Sequence, residues 1–272
     1  DRSSAASDVY KRQMYQRYFS MQNRRERSSY LVKSNEFYDR LSNDYASVSG
    51  VSSCYISAVD RAVINYIEGT ESWLDIGTGD GLRAAELLSS LHSRPQEVAL
   101  CDSSAEMVKA AKKNLQQEFV AQWGMTKWTP FPPDKKFTVI TLLGNVLGHV
   151  HPKESRVEQL SALHPLLADH GTLLLDFNNR WNIRTYGLRR AGTNIIRDLI
   201  HRPRSTFTAV KAINGQSIST PVYLGTPREY CLLLSQAGFQ INRLTYYHYA
   251  TGKHANLFTG QGFIQAIKKE KP

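Results

Sequence analysis

A chain of 272 residues, with 34 Lys and Arg against 24 Asp and Glu, carries a formal charge of +10 and can bury one large core, or one core with an elaborated lid. It holds no run of about 18 apolar residues, which excludes a spanning helix, and its first residues lack the apolar stretch expected of a secretory leader. Cys54, Cys101 and Cys231 are scattered without C-x-x-C spacing, so reduced thiols in a cytoplasmic setting are expected, with no disulfide framework and no metal site. The positive charge gathers in the N-terminal arm and in residues 184–211, which raises the possibility of a polyanionic partner.

Asp1–Gln13 is poor in apolar residues and reads as a non-native extension, with Met14 or Met21 nearer a natural start. Lys11–Lys33 interleaves Arg12, Arg17, Arg24, Arg25 and Arg27 with Tyr15, Tyr18, Phe19 and Tyr30. That alternation suits contacts to single-stranded nucleic acid, but an amphipathic helix that packs its tyrosines and solvates its arginines is the simpler reading. Glu36–Tyr45 (EFYDRLSNDY) follows, and Cys54–Ile67 then places Ile56, Val59, Val63, Ile64 and Ile67 at helical spacing.

The chain is organised around Glu71–Arg83, ESWLDIGTGDGLR. An apolar run ends in Gly77-Thr78-Gly79-Asp80-Gly81, after which Ala84-Ala85-Glu86-Leu87-Leu88 opens a helical pattern. Strand, glycine turn and helix form the first unit of a nucleotide-binding α/β sheet. The pattern is D-x-G-x-G-x-G, not the G-x-G-x-x-G of dinucleotide sites, and the strand-end carboxylate Asp75 suits a cationic or zwitterionic ligand better than a pyrophosphate. A second short strand, Glu97–Asp102, also ends in an acid, at the spacing expected for a residue that holds ribose hydroxyls. Ser103-Ser104-Ala105-Glu106 then reads as a capping box with Ser103 at the N-cap.

These two strand-end motifs resemble those of class I S-adenosylmethionine-dependent methyltransferases. The resemblance implies that Asp75 lies near the methionine end of S-adenosylmethionine, that Gly77, Thr78, Gly79 and Gly81 pass beneath it, and that Asp102 holds the ribose, with Ser103 and Met107 beside it. Glu36–Tyr45 resembles the F-Y-D-x-x-x-x-x-Y opening of many small-molecule methyltransferases, which makes Tyr38 a cofactor-side and Tyr45 a substrate-side lid residue. After the third strand, Phe119–Trp123, the family often carries an acid or small polar residue near the adenine. Here Gly124, Met125 and Thr126 occupy that place without a carboxylate.

The fourth strand, Lys136–Leu143, ends where ligands gather in such sheets. Leu143-Gly144-Asn145 followed by His149 resembles the L-G-N-x-x-x-H stretch of glycine and sarcosine N-methyltransferases, so Leu143 is expected beside the cofactor. The N-P-P-Y or D-P-P-Y of nucleic-acid N-methylating enzymes and the cysteine of pyrimidine-C5 enzymes are absent there. Glu154–Asp169 reads as an amphipathic helix stopped by Gly171, and Thr172–Asp176 as the fifth strand. The polar loop that follows, Phe177–Asn182, is similar to the D-x-R-N-Y segment of the same N-methyltransferases and offers Asn178 and Arg180 as a substrate wall.

Residues 182–225 exceed an ordinary connection and read as an inserted lid, with a helical piece at Thr193–Leu199 and a strand at Thr206–Ala212. Its Arg184, Arg189, Arg190, Arg197, Arg202, Arg204 and Lys211 face the single acid Asp198, as a guanidinium clamp for an anionic substrate group or as a solvated basic surface. Thr226-Pro227-Arg228-Glu229 starts a helix that runs to Gln236, and Phe239–Tyr249 with Thr259–Lys268 reads as a closing antiparallel hairpin.

The expectation is therefore an α/β fold with a doubly wound, mostly parallel seven-stranded sheet. Residues 1–35 form an arm, 36–268 a methyltransferase domain, and 182–225 its lid. By the resemblance the cofactor is S-adenosylmethionine, with S-adenosylhomocysteine as product. The acceptor is a small molecule bearing an amine and an anionic group. His149, ahead of His151, is the candidate base because histidine titrates near neutrality, and Asn145 orients the amine. A small-molecule O-methyltransferase, an RNA methyltransferase that uses the basic arm and lid, and a non-catalytic cofactor sensor stay open as alternatives. No membrane partner is expected.

Overall fold

A computed structural model describes residues 30–42, 53–126, 128–200, 205–213 and 216–269. The expected contacts of the arm over residues 1–29, of Tyr45, and of Arg202 and Arg204 lie outside the described residues.

Five strands run parallel: β2 (Ser72–Ile76), β3 (Glu97–Asp102), β4 (Phe119–Gln122), β5 (Phe137–Leu142) and β6 (Leu167–Phe177). With β9 (Phe239–Tyr247) and β10 (Gln261–Lys268) they form one sheet in the order β4-β3-β2-β5-β6-β10-β9, in which β10 is antiparallel to both of its neighbours. Every residue of β2 is buried, as expected of a central parallel strand covered on both faces. Successive side chains alternate between two cores. Leu74, Ile76, Ile140, Leu142, Leu173 and Leu175 join one, whereas Trp73, Leu100, Val139 and Leu174 join the other.

Helices α2 (Ser53–Ile67), α3 (Leu82–Ser89) and α4 (Ala105–Asn114) cover the second of these faces, and α5 (Lys153–Leu163) and α8 (Pro227–Gln236) cover the first. This is the doubly wound, seven-stranded arrangement read from the sequence. The start of α8 also matches: Thr226 and Glu229 form a reciprocal capping box, with Pro227 in the first turn.

Three local expectations are corrected. The helix that begins near Glu154 ends at Leu163 instead of Asp169, because Pro165 cannot continue it, and β6 has already begun at Leu167. Gly171 is accordingly not a stop but a strand residue, where a Cβ would sit 2.9 Å from the Thr138 carbonyl oxygen. The N-cap of α4 is Ser104, whose hydroxyl accepts from the Met107 N–H, and Ser103 stays exposed.

The insertion after β6 holds α6 (Ile183–Tyr186), α7 (Leu188–Leu199) and a hairpin of β7 (Thr206–Ile213) and β8 (Gln216–Tyr223). Its main helix is longer than the expected piece, and β8 was not anticipated. A short strand, β1 (Tyr30–Leu31), pairs in parallel with β8, so the N-terminal segment and the insertion share a three-stranded sheet. Helix α1 (Ser34–Leu41) then packs Phe37 and Leu41 against Ile218 of β8.

Candidate active site

The glycine turn lies at the carboxyl end of β2. Gly77, Gly79 and Gly81 all adopt positive φ, at 73°, 61° and 78°. A Cβ on Gly77 would come within 2.5 Å of Val146 Cγ2, so this glycine also lets the turn pass beneath the loop that follows β5. Asp102 braces the turn from the end of β3. Its Oδ2 accepts from the Gly79 N–H at 2.9 Å and its Oδ1 from the Ser104 N–H at 2.9 Å. Each carboxylate oxygen can accept a second bond, which leaves capacity for two vicinal hydroxyls. Asp75 is buried and accepts from Thr141 Oγ1 at 2.6 Å. Burial pushes its carboxyl up to about 6, against the bond from Thr141, the nearby Thr78 hydroxyl and the Arg83 charge, which pull it down. A buried, incompletely compensated acid facing a glycine cradle fits a ligand that brings positive charge.

At the end of β5 the chain turns sharply. The N–H groups of Gly144 and Asn145 both donate to Asp176 Oδ1, at 2.8 and 2.6 Å, and the Tyr55 hydroxyl donates to Asp176 Oδ2 at 3.4 Å. Held this way, Asn145 takes a left-handed conformation, φ 60°, which asparagine tolerates better than most residues. Its Oδ1 accepts from the Asn178 N–H at 3.2 Å and from the Tyr230 hydroxyl at 3.5 Å. Its Nδ2 is buried and has no hydrogen-bond partner among the described residues. His149, at the end of the 3-10 turn Val146–His149, sits with Nε2 3.0 Å from the Tyr38 hydroxyl, and its Nδ1 is likewise buried without a partner. Burial, aided by the nearby His151, lowers the His149 pKa to about 4. His149 therefore does not titrate near neutrality as expected; it is neutral across the physiological range and a weak base.

Helix α1 spans the gap between these two strand ends. Asp39 Oδ1 accepts from Ser104 Oγ at 2.5 Å and from the Glu106 N–H at 3.3 Å, while the neighbouring Tyr38 reaches His149. The strap thus touches both the Asp102 loop and the Asn145–His149 turn.

The structure brings Asp75, Gly77, Thr78, Gly79, Gly81, Asp102, Asn145, His149 and Tyr38 to one end of the sheet. Leu143 is buried at the end of β5, and Met107 is fully buried on α4. Gly124 approaches the Asp102 loop, where a Cβ would lie 3.4 Å from Ser103 Cβ. Met125, at φ 57°, turns its side chain into the core, and Thr126 is exposed and donates to the Trp128 carbonyl at 3.1 Å. Arg184 is exposed on α6.

Arg180 departs from its expected role. It is 2% exposed, and all five of its N–H groups are committed: to both oxygens of Asp198, both oxygens of Glu229, and the Leu224 carbonyl. Burial works against its charge, but the two carboxylates outweigh that and raise its pKa. It ties the insertion to α8 and has no donor left for a substrate. Asp198 is used up in the same cluster, since Trp181 Nε1 also donates to it at 2.5 Å. His151 is engaged too, with Nε2 3.2 Å from the Pro221 carbonyl oxygen and Nδ1 3.5 Å from Arg156.

Sequence reasoning passed over Asp176, Tyr230, Tyr55, Thr141 and Asp39. Asp176 carried a signal, because it ends a strand as Asp75 and Asp102 do. Tyr230, stacked on Phe177 with ring centroids 4.2 Å apart, looked like an ordinary apolar-face residue of its helix.

Residues 74–171 match a family described as methyltransferase domain. No curated protein matches the chain. Among solved structures it is similar to the sugar N-methyltransferase KedS8 from Streptoalloteichus sp. ATCC 53650, at 17% identity and TM-score 0.57 over 91% of this chain and 98% of that one. It is similar to an S-adenosylmethionine-dependent methyltransferase from Clostridium acetobutylicum ATCC 824, at 11% identity and TM-score 0.57 over 86% and 97% of the two chains. It also resembles CalS10, an amino pentose methyltransferase from Micromonospora echinaspora bound to S-adenosylmethionine, at 13% identity and TM-score 0.51 over 79% and 90%. The sheet order and the two strand-end acids are those of the class I methyltransferase fold, and residues 74–171 are its methyltransferase domain. The protein is an enzyme of that class, and S-adenosylmethionine is its cofactor. Among the described residues no cluster suited to a metal ion occurs, and no helix is long and apolar enough to cross a membrane.

Proposed function

We propose that the enzyme transfers a methyl group to an amine nitrogen of a small molecule held between the β5 turn and the inserted lid. The observation that carries this is the pair of buried, unpartnered polar atoms at the end of β5, Asn145 Nδ2 and His149 Nδ1, beside a histidine that burial keeps neutral. A hydroxyl acceptor needs a base of some strength to take its proton, and a histidine with a pKa near 4 is a poor one. A neutral amine already has its lone pair and needs placement and dryness instead. The similarity to a sugar N-methyltransferase and an amino pentose methyltransferase supports the same acceptor class, an amine on a polar, hydroxylated body.

When bound, S-adenosylmethionine supplies a methyl group already activated on a sulfonium. Asp75 and the turn from Gly77 to Gly81 would receive its amino-acid end, and Asp102 its ribose. Tyr38 and Leu143 close the cofactor side, and Gly124, Met125, Thr126, Ser103 and Met107 are the candidates for the adenine side, through main-chain groups. Asn145 Nδ2 is a donor and would hold an oxygen of the acceptor, with Asn178 forming the far wall. With Arg180 spent, Arg184 on α6 is the residue by which an anionic acceptor group would be held.

The test is release of S-adenosylhomocysteine by the purified protein against amino acids, amino sugars, simple amines and phenols, with total RNA as a further substrate. Turnover on an amine, lost in Asp75→Ala and Asp102→Ala, is expected. Turnover on RNA alone would replace the small-molecule reading with one in which the basic segments track phosphates, and turnover on phenols alone would replace nitrogen with oxygen.

A further inference from the structure

A groove of about 630 Å³ opens between α2 and the edge pair β9–β10, lined by residues other than those that carry the methyl-transfer site. Helix α2 contributes Arg61 and Tyr66, β9 contributes Arg243 and Tyr247, and the turn beyond β9 closes one end with Lys253 and His254. No carboxylate lines it among the described residues. Arg61, Arg243 and Lys253 make no ion pair among the described residues. By contrast Arg40, Arg83, Arg94, Lys109, Lys135 and Lys268 are each paired to an Asp or Glu. The nearest acid in sequence, Asp60, is taken by Arg83 on the other side of α2. Both guanidinium groups act on one point: burial raises the Tyr247 phenol, and Arg243 and then Arg61 pull it back down. His254 lies against the same ring, with centroids 5.1 Å apart.

The floor is not simply polar. Ala58, Ala62, Phe263 and the Tyr66 ring give it an apolar base, and the Tyr66 hydroxyl is spent on Gln265, also on the lining, at 2.6 Å. Guanidinium groups without an ion pair among the described residues, lining one groove with aromatic rings, match a phosphate joined to a flat body, because the Arg fork fits phosphate oxygens and rings offer a stacking face. The volume lies within the range of small-molecule sites. We propose that this groove binds a phosphate monoester of nucleotide size, at a second site separate from that of S-adenosylmethionine.

Calorimetric titration of the full chain saturated with S-adenosylhomocysteine, using uridine 5′-monophosphate, uridine, inorganic phosphate and a short oligouridylate, tests this. The expected result is one-to-one binding of the monophosphate, no binding of uridine, and weaker binding of inorganic phosphate. The double change Arg61→Gln with Arg243→Gln is expected to weaken monophosphate binding at least about tenfold and leave S-adenosylhomocysteine affinity unchanged, because both residues are exposed. Absence of monophosphate binding, or binding that survives the double change, overturns the proposal. Binding of the oligonucleotide alone overturns it as well, since the groove would then be part of a nucleic-acid surface.

Discussion

Two buried polar clusters stand at either side of the loop after β6, and they use hydrogen bonds in opposite ways. At the root of the insertion, Arg180 spends every N–H on Asp198, Glu229 and a carbonyl, and its partners are themselves shared with Trp181 and the Thr226 cap. At the end of β5, the Asn145 amide nitrogen and the His149 Nδ1 are buried and unspent, although the backbone around them is fixed by Asp176. A buried polar group that is left unpaired costs stability, so such a group persists where something else completes it. Saturation marks a strut, and a deficit beside a glycine cradle marks a site.

The largest effect should come from the saturated cluster. Arg180→Met leaves Asp198 and Glu229 facing each other without their cation, and breaking a buried pair in this way costs about 3–5 kcal/mol. Thermal melting should fall by roughly 10 °C, while cofactor affinity, measured where the variant is folded, changes little. A variant that melts normally but loses acceptor binding would return Arg180 to the substrate wall and break the comparison.

Asp102 belongs to neither extreme, because it braces Gly79 and Ser104 and still has lone pairs to offer. Asp102→Asn keeps one acceptor oxygen and removes the charge. Loss of charged hydrogen bonds to the ribose should weaken S-adenosylmethionine binding by about 2–3 kcal/mol, roughly 30- to 150-fold, with a smaller loss of melting temperature. Titration of the cofactor against both proteins measures it.

How the two clusters read in sequence follows from their geometry. Asp75, the glycines and Asp102 were legible because one strand, one turn and one helix set them locally, and the alternation of β2 and β3 fixes which way the chain enters the turn. Asn145 and His149 were legible by position, at the end of a strand. Arg180 was placed correctly in its loop, but its role depends on Asp198 within the insertion and on Glu229 beyond it, and no local pattern reports that pairing. Strand β8 was missed for a related reason: its partners are β7 and β1, and Pro221 within it reads against a strand. The groove residues Arg61 and Arg243 are far apart in sequence, and only the packing of α2 on the edge strands makes them neighbours.

Next in size is the pH response of His149. Folded, the ring stays neutral down to about 4, whereas in the unfolded chain it takes a proton near its ordinary value. Stability is therefore lost at this residue as pH falls from about 6.5 to 4, by about 2 kcal/mol once the partial exposure of the ring is discounted. Asp75, raised to about 6, works in the other sense, because its protonation relieves a buried charge as pH falls. Urea melts of the wild type and His149→Gln at pH 4.5 and 7 should show a smaller acid-side loss in the variant, the difference isolating His149 from Asp75. Equal losses would mean that the ring is solvated and that its Nδ1 is not a deficit at all.

The smallest effect sharpens the boundary between strut and site. Tyr38→Phe removes one hydroxyl from the bond to His149 and keeps the edge-to-face packing of the two rings, 5.2 Å between centroids. A single neutral hydrogen bond is worth about 0.5–1.5 kcal/mol, so melting should shift by only a few degrees. What decides its character is where the loss appears. Asp39 still ties α1 to the Asp102 loop through Ser104 and Glu106, so the strap stays anchored at one end and loosens at the other. If the strap closes over bound cofactor, S-adenosylmethionine affinity drops about fivefold, and restoring a hydrogen-bonding group at position 38 with Tyr38→His recovers part of it. An unchanged affinity with the same small melting shift would place the Tyr38–His149 bond with Arg180, as a contact that holds the fold and takes no part in what the fold binds.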